Sequence, residues 1–463
     1  MQFIQLDFNT VFLEKHDLYE TIQGDENLKS SWLLKILRER PTKTLIYAGT
    51  YSQVEKVATL LIANHTVLDN SLLDNFADWL AKNYDKNWQL TYLIRMGTGI
   101  HTGRLHRSLS QLQIKLFEER EGLRNLVSTS SIIEGVNTCA ENVIIWRNRI
   151  GSSKLKDFTY RNIIGRGGRM FKHFIGKIYI LEEPPPETAN QLTLEFPDQI
   201  VADIDEDHYS RDLSSAQVAK IASYKQEMRS LLGPNTFEEL IRNNTFQITD
   251  SDLIKKIAVD MKINPDHWSG LAYLNSSNVD DWDSSLYKII NLQAGAWDIQ
   301  YSKFVQFIKV LSQNWHRSIP QLLNQLDSHE INIEKFFNLE RNLTFKFSAL
   351  LNDVNTLQKV LLRNDVDVSR FIAAVSHAFL PSAVYQLEEY GLPRMLSKKI
   401  HQAGVIDLTN PLITLHDVID LFREIGILKL KLAVPDFDAF DHYIINYFYE
   451  GIDTRPKVNV LSH

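Results

Sequence analysis

Residues 45–65 read LIYAGTYSQVEKVATLLIANH, and this stretch indicates the fold of the first half of the chain. An apolar run of five residues is followed by a short polar turn and then by a segment with apolar residues at helical spacing. A short buried strand leading into an amphipathic helix is typical of a parallel sheet.

The same pairing of a short apolar run with a helix recurs along the chain. Runs that read as buried strands are GTGIH (97–101), NLVSTS (125–130), NVIIW (142–146) and HFIGKIYIL (173–181). Helical patterns follow the first at 109–119 and the third near Asp157. Strands alternating with helices predict a doubly wound parallel sheet.

Three regions can be separated along the sequence. Residues 1–40 are interpreted as a lead-in, with a strand in QFIQLDF (2–8) and a helix over Asn27 to Arg38. Residues 41–190 form the predicted α/β domain, which the proline-rich EEPPPE at 182–187 closes as a stiff linker. Residues 191–463 carry apolar residues at helical spacing and predict a mostly α-helical region, opening with a possible winged helix.

Composition limits the class of protein. The 463 residues are 44% hydrophobic, enough to bury large cores. The single cysteine, Cys139, excludes an internal disulfide framework and fits a reducing compartment. No apolar run is long enough to span a bilayer, and the N-terminus lacks the pattern of a signal peptide. We therefore expect a soluble, cytoplasmic protein with no membrane partner.

Charge is distributed unevenly. The whole chain has a net charge of −7, yet residues 95–175 contain 14 Lys/Arg and 6 Asp/Glu and are therefore +8, which leaves −15 for the remainder. A local basic segment on an acidic protein favours one face that binds a polyanion. The alternative is that these charges scatter around the surface.

Four sequence motifs in order resemble the second RecA-like lobe of superfamily-two helicases of the DEAD/DEAH type. The resemblance covers about a third of the chain. It is greatest to the Ski-like branch, which contains exosome-associated RNA helicases and bacterial defence helicases. The matching segments are TLIYAGTYSQVEKVATLL (44–61, motif IV), GTGIHTGRLHRSLSQLQIKLFEE (97–119, motif IVa), VSTSSIIEGVNTCAENVII (127–145, motif V) and NIIGRGGR (162–169, motif VI).

The resemblance implies a role for individual residues. Arg166 and Arg169 would be the catalytic arginines, which stabilise charge on a transferring phosphoryl group. Gly135, Asn137 and Asn162 would contact nucleotide, although the family usually has Gln where this chain has Asn162. The nucleic-acid contacts would come from Thr50, Ser52, His101, Arg104, Thr129 and Ser130.

The residues themselves support these roles, and ordinary structural roles remain alternatives. Loops after parallel strands share one edge of a sheet, where ligands bind. Hydroxyls beside helix N-termini suit phosphate, but they also serve as helix caps. A lone histidine such as His101 is more often structural. We expect Arg166 and Arg169 to project from the edge where the loops after 47, 101 and 129 converge.

The usual ATP-binding residues are not found in the printed sequence. It has no G-x-x-x-x-G-K-[ST] segment, and IDEDH at 204–208 follows no buried strand, so it is interpreted as a solvated loop. We therefore expect ATP and Mg²⁺ to be bound mainly by a first RecA-like lobe, supplied in cis or in trans, with DNA or RNA as the other partner. Alone, the chain is expected to be inactive, and no metal site is predicted on it. The alternative function is a non-catalytic module that binds nucleic acid or a partner protein.

A second basic segment lies in the helical region. EEYGLPRMLSKKIHQAGVIDL (388–408) places Gly391 before a helix that carries Arg394, Lys398 and Lys399. Such a segment loosely resembles a phosphate-binding helix-hairpin-helix, but a helical turn within the fold is the favoured interpretation. The aromatic side chains of this region are expected to pack in cores rather than stack on bases; they include Trp297, Trp315, Phe336 and Phe337.

Overall fold

The computed structural model describes nine segments of the chain. These are residues 12–39, 42–64, 67–132, 140–167, 175–186, 215–243, 245–247, 250–362 and 365–452.

Six strands form one sheet in which every pairing is parallel, with the order β1-β8-β5-β2-β4-β3. A small antiparallel hairpin is made by β6 and β7. The strands are β1 (Phe12–Asp17), β2 (Thr44–Gly49), β3 (Thr98–His101), β4 (Asn125–Thr129), β5 (Asn142–Ile145), β6 (Arg149–Ile150), β7 (Ser153–Lys154) and β8 (Ile175–Ile180). The predicted parallel α/β fold and its strand assignments are confirmed.

Seven α-helices accompany these strands in the described residues of this part. They are α1 (Tyr19–Ile22), α2 (Glu26–Glu39), α3 (Tyr51–Asn64), α4 (Ser71–Asn83), α5 (Gln89–Arg95), α6 (Arg107–Glu118) and α7 (Asp157–Ile164).

The sheet is buried on both faces. Ile46, Val127 and Ile144 lie in one cluster with apolar residues of α2 and α3. Side chains alternate along a strand, so neighbouring residues face the opposite side. There a Cβ on Gly167 would lie 2.7 Å from Ile178 and 3.3 Å from Val143. Burial on two faces explains why β2 and β5 read as nearly continuous apolar runs.

The boundary predicted at residue 41 needs correction. β1 pairs with β8 along its whole length, so residues 12–39 add an edge strand and two helices to the α/β unit. The sequence of β1, FLEKHD, is polar because an edge strand is partly solvated. It therefore lacks the apolar run that identifies a buried strand. The predicted strand at 2–8 lies outside the described residues.

Beyond residue 215 the described residues form helices and contain no strand, so no wing of a winged helix occurs among them. The α-helices are Ser215–Leu232, Pro234–Arg242, Ser251–Ile263, Asp283–Leu292, Tyr301–Gln313, Ile319–Leu326, Ile333–Arg341, Ser348–Leu361, Ser369–Ser376, Ser382–Glu389, Arg394–Gln402, Leu415–Ile425, Ile427–Ala433 and Ala439–Ile452. No helix in this or any other described part is long and apolar enough to cross a membrane.

The helical region divides between two compact units. One unit comprises Met1–Ala189, Ser318–Pro320 and Ala383–His463, and the other comprises Asn190–Arg317 and Gln321–Ser382. The single region predicted over 191–463 therefore needs correction, since its last helices belong with the sheet. Helical periodicity reveals an apolar face but not the surface that covers it.

Contacts within the first unit show how these last helices are held. The indole of Trp79 on α4 donates to Asp441 Oδ1 at 2.8 Å, and the rings of Phe76 and Phe440 stack 4.8 Å apart. Near the end of α6, Glu119 Oε1 accepts from Tyr443 Oη at 2.7 Å. The aromatic side chains expected in cores are largely buried, with Trp297 and Phe336 at most 1% exposed.

Candidate nucleic-acid interface

The carboxyl ends of β2, β4 and β3 meet at one edge of the sheet because these strands are adjacent and parallel. All six predicted nucleic-acid contacts follow or end these three strands. We call the group the polar cluster; it consists of Thr50, Tyr51, Ser52, His101, Arg104, Thr129, Ser130 and Ser131. Ligands bind at this edge in open parallel sheets.

His101 and Ser131 join the loops after β3 and β4. The Nδ1 atom of His101 lies 3.0 Å from Ser131 Oγ, which is also 3.2 Å from Thr129 Oγ1. The His101 side chain is only 6% exposed, and burial lowers its pKa to about 4. His101 is therefore a neutral group at physiological pH, and its role is to position the loop rather than to supply charge.

Arg104 joins the loops after β3 and β2. Its guanidinium lies 3.8 Å from the centroid of the Tyr51 ring, a cation–π geometry. This contact restrains the planar guanidinium over the ring. The side chain is half-buried. A fixed guanidinium at this edge can bind a phosphate oxygen.

Thr50 and Ser52 lie at the start of α3. Their hydroxyl oxygens are 3.2 Å apart, and Thr50 Oγ1 also accepts from the backbone amide of Gln53 at 3.4 Å. Thr50 therefore caps the helix, as the structural alternative proposed. Ser52 is exposed. Its hydroxyl and the first amides of the helix are suited to a phosphate oxygen.

A charged cluster that the sequence analysis missed lies at the ends of β5 and β8, close to the start of α3. Its members are Glu26, Lys29, Lys56, Arg147 and Glu182. Lys56 bonds Glu26 at 2.6 Å, and Arg147 lies 3.3 Å from Glu182. Their position at strand ends and helix starts was the only available signal.

The indole of Trp146 links the charged cluster to Gln53, whose backbone amide donates to Thr50 of the polar cluster. Trp146 Nε1 donates to Gln53 Oε1 at 2.9 Å, and Lys29 lies over the same ring at 4.5 Å. Burial would raise the pKa of Glu26, but the hydrogen bond from Lys56 and the cations around it lower that pKa. The Glu26 carboxylate and the Lys56 ammonium thus form an ion pair at 2.6 Å.

Arg166 lies in a turn held against the sheet. Its carbonyl accepts from the amide of Ala140 at 3.3 Å, and Gly167 pairs with Ala140 as an isolated bridge. Ala140 precedes β5, so the turn is level with the amino end of that strand. The expectation that this arginine projects from the edge of the polar cluster needs correction, because the chain reverses direction through α7 before it reaches Arg166.

The other predicted nucleotide contacts can be placed only in part. Asn162 is half-buried on α7. Gly135, Asn137 and Arg169 lie outside the described residues. No group of three or more potential metal ligands occurs in the described part of the chain.

The second basic segment has a structural role, as the favoured interpretation held. Arg394 is 4% exposed, and its Nε donates to Glu388 Oε2 at 2.7 Å. Lys398 is 8% exposed, and Lys399 bonds Asp441 at 2.5 Å. Of the two basic segments, only the one around Arg104 presents a stacked guanidinium at a strand edge.

The chain is similar to two proteins whose names are informative, while no family model matches it. It is 29% identical over 426 residues to Anti-bacteriophage protein B of Escherichia coli K12, covering 84% of this chain and 56% of that protein. It is 32% identical over 110 residues to DNA polymerase theta of Drosophila melanogaster, covering 23% of this chain and 5% of that protein. The chain thus spans about half the length of the bacterial relative.

Proposed function

We propose that residues 12–186 form the nucleic-acid-binding lobe of an ATP-driven helicase or translocase related to superfamily two. The observation that carries the proposal is the polar cluster: six residues chosen from helicase-like motifs follow or end three adjacent strands, and contacts of 3.0 and 3.8 Å join their loops. Hydroxyls, helix amides and a stacked guanidinium are the groups that contact a nucleic-acid backbone.

Of the two proposed catalytic arginines, Arg166 lies within the described residues. ATP with Mg²⁺, bound mainly by another RecA-like domain, would supply the phosphoryl group that is transferred to water. The turn suits a charged ligand because Gly167 packs flat on β5 and β8 and holds the backbone of Arg166 in place. Arg166 and Arg169 would neutralise oxygens of that ligand, at a site separate from the polar cluster.

The bacterial relative supports a biological role. Its name refers to action against bacteriophage. We propose that this chain also serves in defence, with invading nucleic acid as its substrate. The other relative is named as a DNA polymerase, and this is a reason to test DNA before RNA.

The binding test uses fluorescence anisotropy of labelled single-stranded DNA and RNA at low salt. The chain is expected to bind at least one of them, and affinity should fall as salt rises because phosphate contacts release counterions. Failure to bind either nucleic acid at low salt would overturn the proposal.

A non-catalytic binding module is the second candidate. It is favoured by the distance along the strands between the Arg166 turn and the polar cluster, and by the lack of a phosphate-binding lysine motif in the printed sequence. Mixing the chain with a RecA-like domain that carries this motif discriminates between the two. Stimulated ATP hydrolysis that is lost on Arg169→Ala, and retained on Arg161→Ala, supports the motor. No stimulation by the chain supports the module.

A further inference from the structure

His106 links the polar cluster to the last helices of the first unit. It stands at the end of the loop 101–106, which carries Arg104, and it is the residue before α6. Its side chain is 9% exposed and is surrounded by Tyr84, Glu388 and Arg394. The last two belong to the helices Ser382–Glu389 and Arg394–Gln402.

The partners of His106 define its hydrogen bonding. The guanidinium of Arg394 is a donor only, and its Nη2 lies 3.2 Å from His106 Nε2, so this ring nitrogen accepts. The other ring nitrogen, Nδ1, lies 3.4 Å from Glu388 Oε1 and 3.5 Å from Tyr84 Oη. Glu388 in turn accepts from Arg394 Nε at 2.7 Å.

The loop 101–106 is consequently held at both ends. His101 anchors its start to Ser131 at 3.0 Å, and His106 anchors its end to the buried Glu388–Arg394 pair. Arg104 lies between the two anchors and stacks on Tyr51. A binding group keeps its geometry only when its supporting residues are themselves fixed.

We infer that His106, held by Glu388 and Arg394, is a positioning residue that presets Arg104 for phosphate, so that the last helices of the chain control nucleic-acid affinity. This inference rests on the proposed function. An intact buried ion pair adds little net stability compared with apolar residues of similar size. Positioning the loop 101–106 would therefore give the Glu388–Arg394 pair a second role.

The first measurement is independent of nucleic acid. Hydrogen–deuterium exchange is followed in the peptide 101–106 of the full chain. His106→Leu and Glu388→Gln should accelerate its exchange by about tenfold, while His106→Gln, which has both a donor and an acceptor, should restore protection. Tyr443→Phe is the matched control, because it removes another bond between the last helices and α6 but does not touch the loop.

The second measurement is oligonucleotide affinity. His106→Leu should weaken binding by about tenfold, and the same change made in an Arg104→Ala background should have almost no effect, since both act through one contact. Glu388→Gln substitutes for His106→Leu if that variant does not fold. Additive losses, or exchange in 101–106 that is unchanged in folded variants, would overturn the inference. If neither the original chain nor any variant binds the oligonucleotide, while exchange in 101–106 still changes as expected, the proposed function is overturned. The structural part of the inference, that His106 anchors the loop, then remains.

Discussion

Two basic segments of this protein share a pattern but differ in the partners of their arginines. GTGIHTGRLH (97–106) and GLPRMLSKKIH (391–401) each combine a glycine turn, an arginine and a histidine. In the first, Arg104 stacks on Tyr51 at the edge of the sheet and is half-buried. In the second, Arg394 is 4% exposed and bonded to Glu388.

The difference illustrates how the partner of an arginine limits what else its guanidinium can bind. A guanidinium that lies on an aromatic ring keeps its N–H groups for a ligand, whereas one that is paired with a buried carboxylate has already used them. Substitutions in the two segments should therefore affect different properties, binding in the first and stability in the second.

The largest effect is expected from Arg394→Ala. Removing the guanidinium leaves the Glu388 carboxylate buried without its cation, which costs about 3–5 kcal/mol. Thermal denaturation followed by circular dichroism should show a clear loss of stability. Arg104→Ala is the matched variant and should have the same melting temperature as the original chain. If Arg394→Ala also melted at that temperature, the contrast between the two segments would be contradicted.

The next effect is a pH dependence of stability due to His101. Its pKa is about 4 in the folded protein, below the usual value of about 6.5 in the unfolded chain. Between these values only the unfolded state binds the proton, so stability falls as pH falls through this window, by roughly 3 kcal/mol in total at 1.36 kcal/mol per pKa unit. His101→Gln should flatten the denaturation profile, and the exposed His416→Gln should not.

The free energy of binding lost on Arg104→Ala, in the first segment, should be smaller than the two losses of stability above. Arg104→Ala is expected to weaken oligonucleotide binding about tenfold and to lower the salt dependence, as for the loss of one phosphate contact. Arg104→Lys should fall between, because an ammonium group does not stack as a guanidinium does. Lys35→Ala on α2 is the control, and an equal loss there would indicate diffuse electrostatic attraction.

The smallest effect is expected from Ser131→Ala. The change removes the hydroxyl bonded to His101 Nδ1 and loosens the start of the loop 101–106. One hydrogen bond contributes about 1 kcal/mol, so affinity should fall by at most about fivefold. Unchanged affinity together with faster exchange in 101–106 would show that Arg104 does not need this anchor.

Part of the polar cluster was predictable from sequence because its members end or follow predicted strands. Thr50, His101 and Thr129 lie in segments that resemble helicase motifs, and the parallel sheet brings the ends of their strands to one edge. Tyr51 and Ser131 are next to predicted contact residues in the sequence, but no motif or spacing singled them out. The charged cluster was missed because its members come from α2, α3 and the ends of β5 and β8.

The local order of strands and helices follows from the amino-acid sequence alone, since the alternation of short apolar runs with amphipathic segments depends on near neighbours along the chain. Three features became apparent only in the folded chain: β1 completes the sheet, the helices after residue 383 belong to the same unit, and Arg166 lies at the amino end of β5. These outcomes depend on which apolar faces cover one another, and a residue's neighbours in sequence do not record this.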